Sequence, residues 1–110
     1  MNKWEPIPLS ELQEKINKGV NLMSQEQISI WNQIAIRPEK WIETEQGEMG
    51  GGFWVVAIYT KAVVWYNDIE EGFNISSFST HGKIEQYEAE QDELQWTIHK
   101  LKTHPNTLYI

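Results

Sequence analysis

The segment from Phe53 to Phe78 is a nearly continuous run of apolar and aromatic residues, interrupted once by the acidic turn that contains Asp68, Glu70 and Glu71. Its β-branched and aromatic side chains fit a pleated sheet, and its pieces are too short to cross a membrane as helices. In the first piece both alternating sets of side chains are apolar, so both faces of that strand must be covered. Helices on one face and a partner on the other would provide this cover.

Short connections divide this run and the segments beside it into strands, and connections of this length join antiparallel strands. The pattern predicts a meander of four to five strands, over residues 40–45, 53–60, 62–67, 73–80 and 83–87. His81 and Gly82 are typical of a two-residue hairpin turn, because glycine accepts a positive φ without steric cost. A glycine-rich loop at 47–52 lacks the Lys-Ser/Thr ending of a phosphate-binding loop, and it is interpreted as a hairpin connection.

Two helix starts precede the meander, and a third helix follows it. Each start matches the pattern S-x-x-Q, in which the first and fourth side chains bond to each other's backbone amides. The residues are Ser10, Gln13, Ser24 and Gln27. Gly19 is expected to end the first helix, and Pro38 is expected to end the second by about residue 36. A closing helix from about residue 91 is predicted by the helical spacing of Leu94, Ile98 and Leu101.

A chain of 110 residues is long enough for one α+β domain, 1–110, and too short for two. It contains no Cys, which excludes disulfides and Cys-based zinc sites and suits a reducing cytoplasm. The N-terminus carries charges and two prolines where a signal peptide needs an apolar core. No window approaches the roughly 18 apolar residues of a spanning helix. We therefore expect a cytoplasmic protein with no membrane partner.

The chain is acidic, and its charge is unevenly placed. Nine basic and sixteen acidic residues give a net charge of −7, so a phosphate backbone would be repelled and nucleic acid is not expected as a partner. Residues 1–46 carry five bases and seven acids, a balance of −2, whereas residues 47–110 carry four and nine, a balance of −5. The second part therefore holds the candidate binding residues.

The turn at 67–72 places three carboxylates within four residues, Asp68, Glu70 and Glu71. Carboxylates in such a turn bind a hard cation such as calcium, grip Lys and Arg of a partner, or remain solvated. The Asp-x-Asp-x-Asp-Gly order of a calcium loop is missing. The turn is therefore kept as a candidate for protein binding, and no metal is assigned to it.

A second acidic stretch joins the last predicted strand to the closing helix, and no Lys or Arg interrupts it between residues 85 and 93. It is either a negatively charged helix start or a docking face for a basic protein, since rows of carboxylates steer a cationic partner. Two aromatic residues within or beside it are candidate anchors. The predicted contact residues of this stretch are Tyr87, Glu88, Glu90, Asp92, Glu93 and Trp96.

The sequence gives little support to an enzyme. Carboxylates with Trp stacking faces are typical of sugar-active sites, but Trp31, Trp54 and Trp65 have core-like spacing. Trp4 and Trp41 are less explained by periodicity and are candidates for an exposed contact surface. The chain has three histidines, His81, His99 and His104. A zinc site would need further ligands, and no Ser stands in a G-x-S-x-G motif, so we expect no catalytic residue, metal or cofactor.

The segment VVAIYTKAVVWYND, followed by the acidic turn and then by GKIEQYEAEQDEL, resembles the SUKH-type immunity fold of bacterial toxin systems near its sheet and closing helix. The resemblance covers around half of the chain and includes no residue-level motif, so no family site is transferred. It implies a non-enzymatic inhibitor that binds a cognate toxin.

The leading hypothesis is a protein-binding domain whose acidic edge binds and blocks a basic protein, such as a toxin. The first alternative is a domain that binds a small ligand or a carbohydrate through Trp faces beside the carboxylates. The second is a self-associating domain, such as a homodimer, in which another copy covers the two-sided apolar strand.

Overall fold

The computed structural model describes residues 5–43 and 51–103, with side chains to residue 101. Within these ranges three helices and four strands follow one another as α1 Leu9–Asn21, α2 Gln25–Ile34, β1 Ala35–Trp41, β2 Phe53–Tyr59, β3 Ala62–Asn67, β4 Gly72–Ser77 and α3 Leu94–Thr103. The strands form one antiparallel sheet in the order β1-β2-β3-β4. This α+β arrangement confirms the predicted fold class. None of these helices has both the length and the apolar character that a bilayer crossing requires.

The helices lie on one face of the sheet and form the first core with it. The apolar face predicted for the closing helix is confirmed, because Leu94, Ile98 and Leu101 are each at most 2% exposed. Leu12 and Ile16 of α1 and Trp31 of α2 are buried in the same core. The sheet contributes Val56, Ala57, Val64, Tyr66 and Phe73.

The first helix differs from its prediction at both ends. It begins after Pro8 with no side-chain cap, so the capping box predicted at Ser10 is wrong. The helix also continues past Gly19, which is therefore not its C-cap. A Cβ at Gly19 would lie 2.6 Å from the Cβ of Leu94. The glycine is thus required by the close crossing of α1 and α3.

The capping box predicted at the start of α2 is confirmed. Gln27 N donates to Ser24 Oγ at 3.2 Å, and Ser24 N donates to Gln27 Oε1 at 2.8 Å. The strand β1 follows this helix at once, beginning at Ala35 instead of residue 40. Pro38 lies inside β1 and is tolerated because β1 is an edge strand whose pairing with β2 is irregular. The end of the predicted first strand and most of the glycine-rich loop lie outside the described residues.

The second face of the sheet is covered by the chain itself. Residues 78–92, here called the strap, leave β4, reach Ile42 beyond the end of β1, and return to β4 at Phe73. The strap closes a second core on this face, whose buried members are Trp41, Phe53, Val55, Val63, Trp65 and Ile84. The two-sided apolar strand therefore does not require a second copy of the chain to cover it.

The fifth strand predicted at 83–87 does not form. In the described chain, backbone hydrogen bonds join the strap to the outer edge of β4 at only two points, where Glu85 N donates to Ser77 O at 3.4 Å and Phe73 N donates to Asp92 O at 2.8 Å. The predicted turn glycine does adopt a positive φ, since φ of Gly82 is 97°. Beyond that turn, however, the chain bends onto the second face instead of pairing with β4.

Three polar side chains of β3 and β4 hold the strap on the second face. Asn67 Nδ2 donates to the carbonyl of Glu88 at 2.9 Å, and Ser76 Oγ donates to the carbonyl of Gln86 at 2.6 Å. The amide group of Asn74 bonds the backbone of a single strap residue twice, at Glu90 N and Glu90 O. These side-chain bonds take the place of the backbone ladder that the sequence pattern predicted.

Candidate protein-binding surface

Three adjoining depressions follow β4 and the turn between β3 and β4. The edge groove runs along β4 from Phe73 to Ser77. The helix notch lies between α1 and the end of the strap, and the N-terminal hollow lies between the start of α1 and the turn. The groove and the notch share Phe73, while the notch and the hollow share Lys15, Tyr66 and Glu71. The three depressions therefore form one continuous border.

Carboxylates dominate this border. Eight of them line the depressions and are here called the acidic border: Glu5, Glu11, Asp68, Glu71, Glu88, Glu90, Asp92 and Glu93. The structure thus brings together the two acidic segments singled out in the sequence, because the strap returns to the start of β4 next to the acidic turn. Glu70, the remaining predicted acid, does not line any of the three depressions.

The edge groove has a volume of about 270 Å³. Its floor is the outer edge of β4, and its walls come from two different elements. The strap supplies Gln86, Glu88 and Glu90 on one side, while α3 supplies Thr97 and Lys100 on the other. Side-chain hydrogen bonds from the sheet hold the backbone of the strap at Glu88 and Glu90. The positions of these two residues along the groove are therefore fixed.

The helix notch, of about 90 Å³, contains one ion pair, and a second pair joins it to the edge groove. Glu93 Oε2 lies 3.8 Å from Lys18 Nζ, and Asp92 binds Lys100. Solvated pairs of this kind contribute about 0–1 kcal/mol each to stability. Asp92 and Glu93, both predicted as partner contacts, are therefore already paired with lysines of the chain.

The N-terminal hollow, of about 480 Å³, contains a carboxylate with an internal role. Asp68 Oδ2 accepts a hydrogen bond from Ile7 N at 2.8 Å, and Trp54 Nε1 donates to Ile7 O at 3.1 Å. Both backbone groups of Ile7 are thus held just before α1 begins. Asp68, a predicted partner contact, serves to position the N-terminal segment.

Tyr66 reports the negative field of this border. Burial, followed by the charges of Glu71, Asp68 and Glu11, raises the pKa of Tyr66 to about 12. Neighbouring negative charges oppose ionisation of a phenol, as burial does. These three carboxylates line the N-terminal hollow together with Tyr66, although they come from different parts of the chain.

The two predicted aromatic anchors have different environments. Tyr87 is half-buried in the second core, 6.0 Å from Trp65 between ring centroids, and its hydroxyl accepts a bond from Asn67 Nδ2 at 3.0 Å. It therefore fixes the strap to the sheet. Trp96 is 55% exposed on α3, which leaves it as the aromatic side chain that can contact a partner.

Sequence reasoning missed the cations of the border and its N-terminal acids. Lys15 and Lys18 follow each other at helical spacing, which places them on one side of α1. That this side faces the end of the strap depends on the crossing of α1 and α3 at Gly19, which no local pattern encodes. Glu5 and Glu11 join the border because Asp68 holds the segment before α1.

The chemistry available at the border is ionic recognition. Among the residues that the structure describes, no group of three or more His, Cys, Asp or Glu has the arrangement of a metal site. Trp41, considered above as a contact residue, is 1% exposed, and Trp65 is fully buried. Trp4 and His104 lie outside the described ranges. The carboxylates suit a cationic protein surface better than a sugar ring, because the exposed Trp of the described residues, Trp96, lines none of the three depressions.

Comparison of the chain with protein-family models, with curated proteins and with solved structures finds no significant match. The resemblance to the SUKH-type immunity fold therefore stays a prediction.

Proposed function

We propose that this chain is a non-enzymatic protein-binding domain, and that its acidic border binds a cationic surface of a partner protein. The observation that carries this proposal is the gathering of eight carboxylates along three continuous depressions, whose described lining includes three lysines, Lys15, Lys18 and Lys100. Within the described residues, the side chains of Glu71, Glu88 and Glu90 have no ion-pair partner. Together with Glu5 and Glu11, which line the border and also lack an ion pair among the described residues, these three are the border carboxylates that remain for a partner.

The border also predicts how the complex should behave in salt. Rows of like charge accelerate the encounter with a partner of opposite charge, and this effect is screened over about 10 Å at 0.1 M salt. A complex formed in this way should dissociate as the salt concentration rises. A toxin-immunity role, as the SUKH resemblance implies, is one specific form of the proposal, in which the partner is a basic toxin that the domain blocks.

The test compares two charge reversals of equal size. Glu88→Lys with Glu90→Lys changes the border, whereas Glu14→Lys with Glu26→Lys changes exposed positions on α1 and α2 that do not line it. A partner captured from the source cell by the wild-type chain should be lost with the first pair and retained with the second. Equal capture by both variants would show that the border is not the binding surface.

The two other hypotheses have less support in the described residues, where the exposed Trp96 lines none of the three depressions. A carbohydrate site needs an exposed stacking face beside the carboxylates, yet the ring nitrogen of Trp54 is bonded to Ile7 and Trp31, Trp41 and Trp65 are buried. A self-associating domain was suggested by the two-sided apolar strand, whose second face the strap covers.

A further inference from the structure

The outer edge of β4 is open between the two anchor points of the strap. Phe73 N and Ser77 O both point outward, since they bond to the strap. In an antiparallel strand, the N–H and C=O of every second residue point to the same edge. The N–H and C=O of Ile75, midway between the anchors, therefore point outward as well. No hydrogen bond joins them to another group in the described part of the chain.

The edge groove has the dimensions of one short added strand. From Phe73 to Ser77 the floor covers five residues, which at about 3.3 Å per residue is roughly 13–17 Å. Four outward backbone groups in this interval make no hydrogen bond to the strap: Phe73 O, Ile75 N, Ile75 O and Ser77 N. An extended peptide of about four residues would satisfy them. Longer pairing is prevented because the strap occupies both ends.

The walls of the groove favour a basic guest. Glu88 and Glu90 line the side formed by the strap, and their backbones are held by Asn67 and Asn74. On the opposite side Lys100 is engaged by Asp92, which offsets its repulsion of a cation. Because successive side chains of a strand point to opposite sides, Lys or Arg at alternate positions of a guest would meet the carboxylates.

We propose that the edge groove receives an extended basic segment of the partner protein, which adds to β4 as a fifth strand. Strand addition draws its affinity from main-chain bonds and its specificity from alternate side chains. The inference rests on the proposed function, and it names the mode of binding at one part of the acidic border. The strap leaves open the edge that a fifth strand of the chain itself would otherwise occupy.

The probe is a fluorescent, end-blocked peptide of sequence Lys-Val-Lys-Val-Lys, with Glu-Val-Glu-Val-Glu as its charge control. The lysine peptide should bind the full chain saturably, and the glutamate peptide should not. Two further probes carry N-methyl groups on the lysine amides or on the valine amides. Only one edge of an added strand faces β4, so one methylated probe should lose binding and the other should keep it.

The protein variant that matches these probes is Ile75→Pro. Proline at this position removes an outward N–H and no bond to β3, a placement that edge strands tolerate. Loss of this donor should weaken binding of the lysine peptide by about tenfold. Ile75→Ala removes side-chain packing but keeps the N–H, so it is the control and should bind like the wild type. If Ile75→Pro does not fold, the methylated probes decide the question with the wild-type chain.

Three results would overturn strand addition. If both methylated probes bind as well as the parent, charge alone holds the peptide; the proposed function then stands and strand addition is wrong. If the lysine peptide does not bind while capture of the natural partner still depends on Glu88 and Glu90, the partner uses another mode. If the chain dimerises and Ile75→Pro makes it monomeric, the occupant of the groove is a second copy. By contrast, failure of the charge-reversal test would remove the proposed function itself.

Discussion

The two faces of the sheet are covered by different means. On the helix-covered face, apolar side chains of three regular helices pack against the sheet. On the strap-covered face, an irregular segment closes the second core and is held by side-chain bonds from Asn67, Asn74 and Ser76. The stability of the helix-covered face is distributed over many packed side chains, whereas the attachment of the strap depends on a few hydrogen bonds. The first face should therefore unfold only with the whole molecule, while the second can open locally.

The polar contacts of the strap-covered face reach into its core. The buried ring of Trp65 donates through Nε1 to Ser76 Oγ at 2.9 Å, and Ser76 in turn donates to Gln86 O. This chain of bonds links one of the two Trp rings of the second core to the strap backbone. The same strap forms one wall of the edge groove, so local opening of this face would also alter the proposed binding site.

The largest expected effect belongs to the helix-covered face. Ile98 is fully buried in α3, and Ile98→Ala should destabilise the whole chain by about 2–5 kcal/mol through lost burial and a cavity. Urea unfolding followed by Trp fluorescence measures this change. Leu22→Ala is the matched control, because Leu22 is 55% exposed and its loss should cost less than about 0.5 kcal/mol. Equal costs for the two variants would contradict the assignment of the first core.

A smaller and local effect is expected on the strap-covered face. Asn74→Ala removes both bonds to the backbone of Glu90, which should make opening of the strap easier by about 1–3 kcal/mol. Hydrogen exchange should accelerate at the Glu90 amide while the amides of α3 keep their protection. Asn32→Ala, at an exposed position of α2, is the control. If α3 loses protection to the same extent as the strap, the two faces open together and the comparison fails.

The difference between the faces also explains what the sequence could predict. Helical spacing identified the buried face of α3, and the S-x-x-Q pattern at Ser24 identified the start of α2, since both signals are local. The path of the strap depends on bonds such as Asn74 with Glu90, which join residues 16 positions apart through side chains. The hairpin-turn signal at His81 and Gly82 therefore predicted a strand at 83–87, where the structure has none.

The candidate site was predictable in composition but not in assembly. The two acidic segments were visible in the sequence, and the structure places them side by side. The internal roles of Asp68 and Tyr87 were not visible, because the partners of both are distant in the chain: Ile7 and Asn67. A carboxylate that accepts a backbone bond looks the same in sequence as one that faces a partner.

Alkaline pH should weaken the helix-covered face. The pKa of Tyr66 is raised from 10.0 to about 12, so between these values the unfolded chain releases a proton that the folded chain keeps. The stabilisation from the protonated phenol of Tyr66 is therefore complete below pH 10.0 and is lost as pH rises toward about 12. Tyr66→Phe should flatten this loss of stability in urea titrations. A profile unchanged by the substitution would show that other groups cause it.

The same tyrosine measures the field of the acidic border. Glu71→Gln removes one of the charges that raise the pKa of Tyr66, but burial, the largest cause, remains. The pKa of Tyr66, followed by phenolate absorbance, should therefore fall and yet stay above 10.0. Glu14→Gln is the control, because Glu14 does not line the border. An equal fall with both variants would mean that the field is spread evenly around the molecule.

Acidic pH should act on the strap-covered face, through Glu39 of β1. Its Oε1 accepts a bond from Trp41 Nε1 at 2.9 Å and lies 3.0 Å from His81 Nε2, at the turn of the strap. The bond from Trp41, followed by the charge of His81 and the contact with its ring, lowers the pKa of Glu39 below 4.5, although desolvation opposes the shift. The stabilisation from these contacts is therefore complete above pH 4.5 and is lost as pH falls through the lowered pKa.

The loss of stability at acidic pH should be the smallest of the effects considered, because the carboxylate of Glu39 is exposed to solvent. It should be confined to the turn of the strap. The indole N–H signal of Trp41 should titrate with a midpoint below pH 4.5, whereas the signals of α3 should not change over that range. Glu39→Gln keeps an oxygen acceptor for Trp41 but removes the titrating group, so the transition should disappear. If the transition persists in that variant, another group controls the turn, and the acid sensitivity of this face has a different origin.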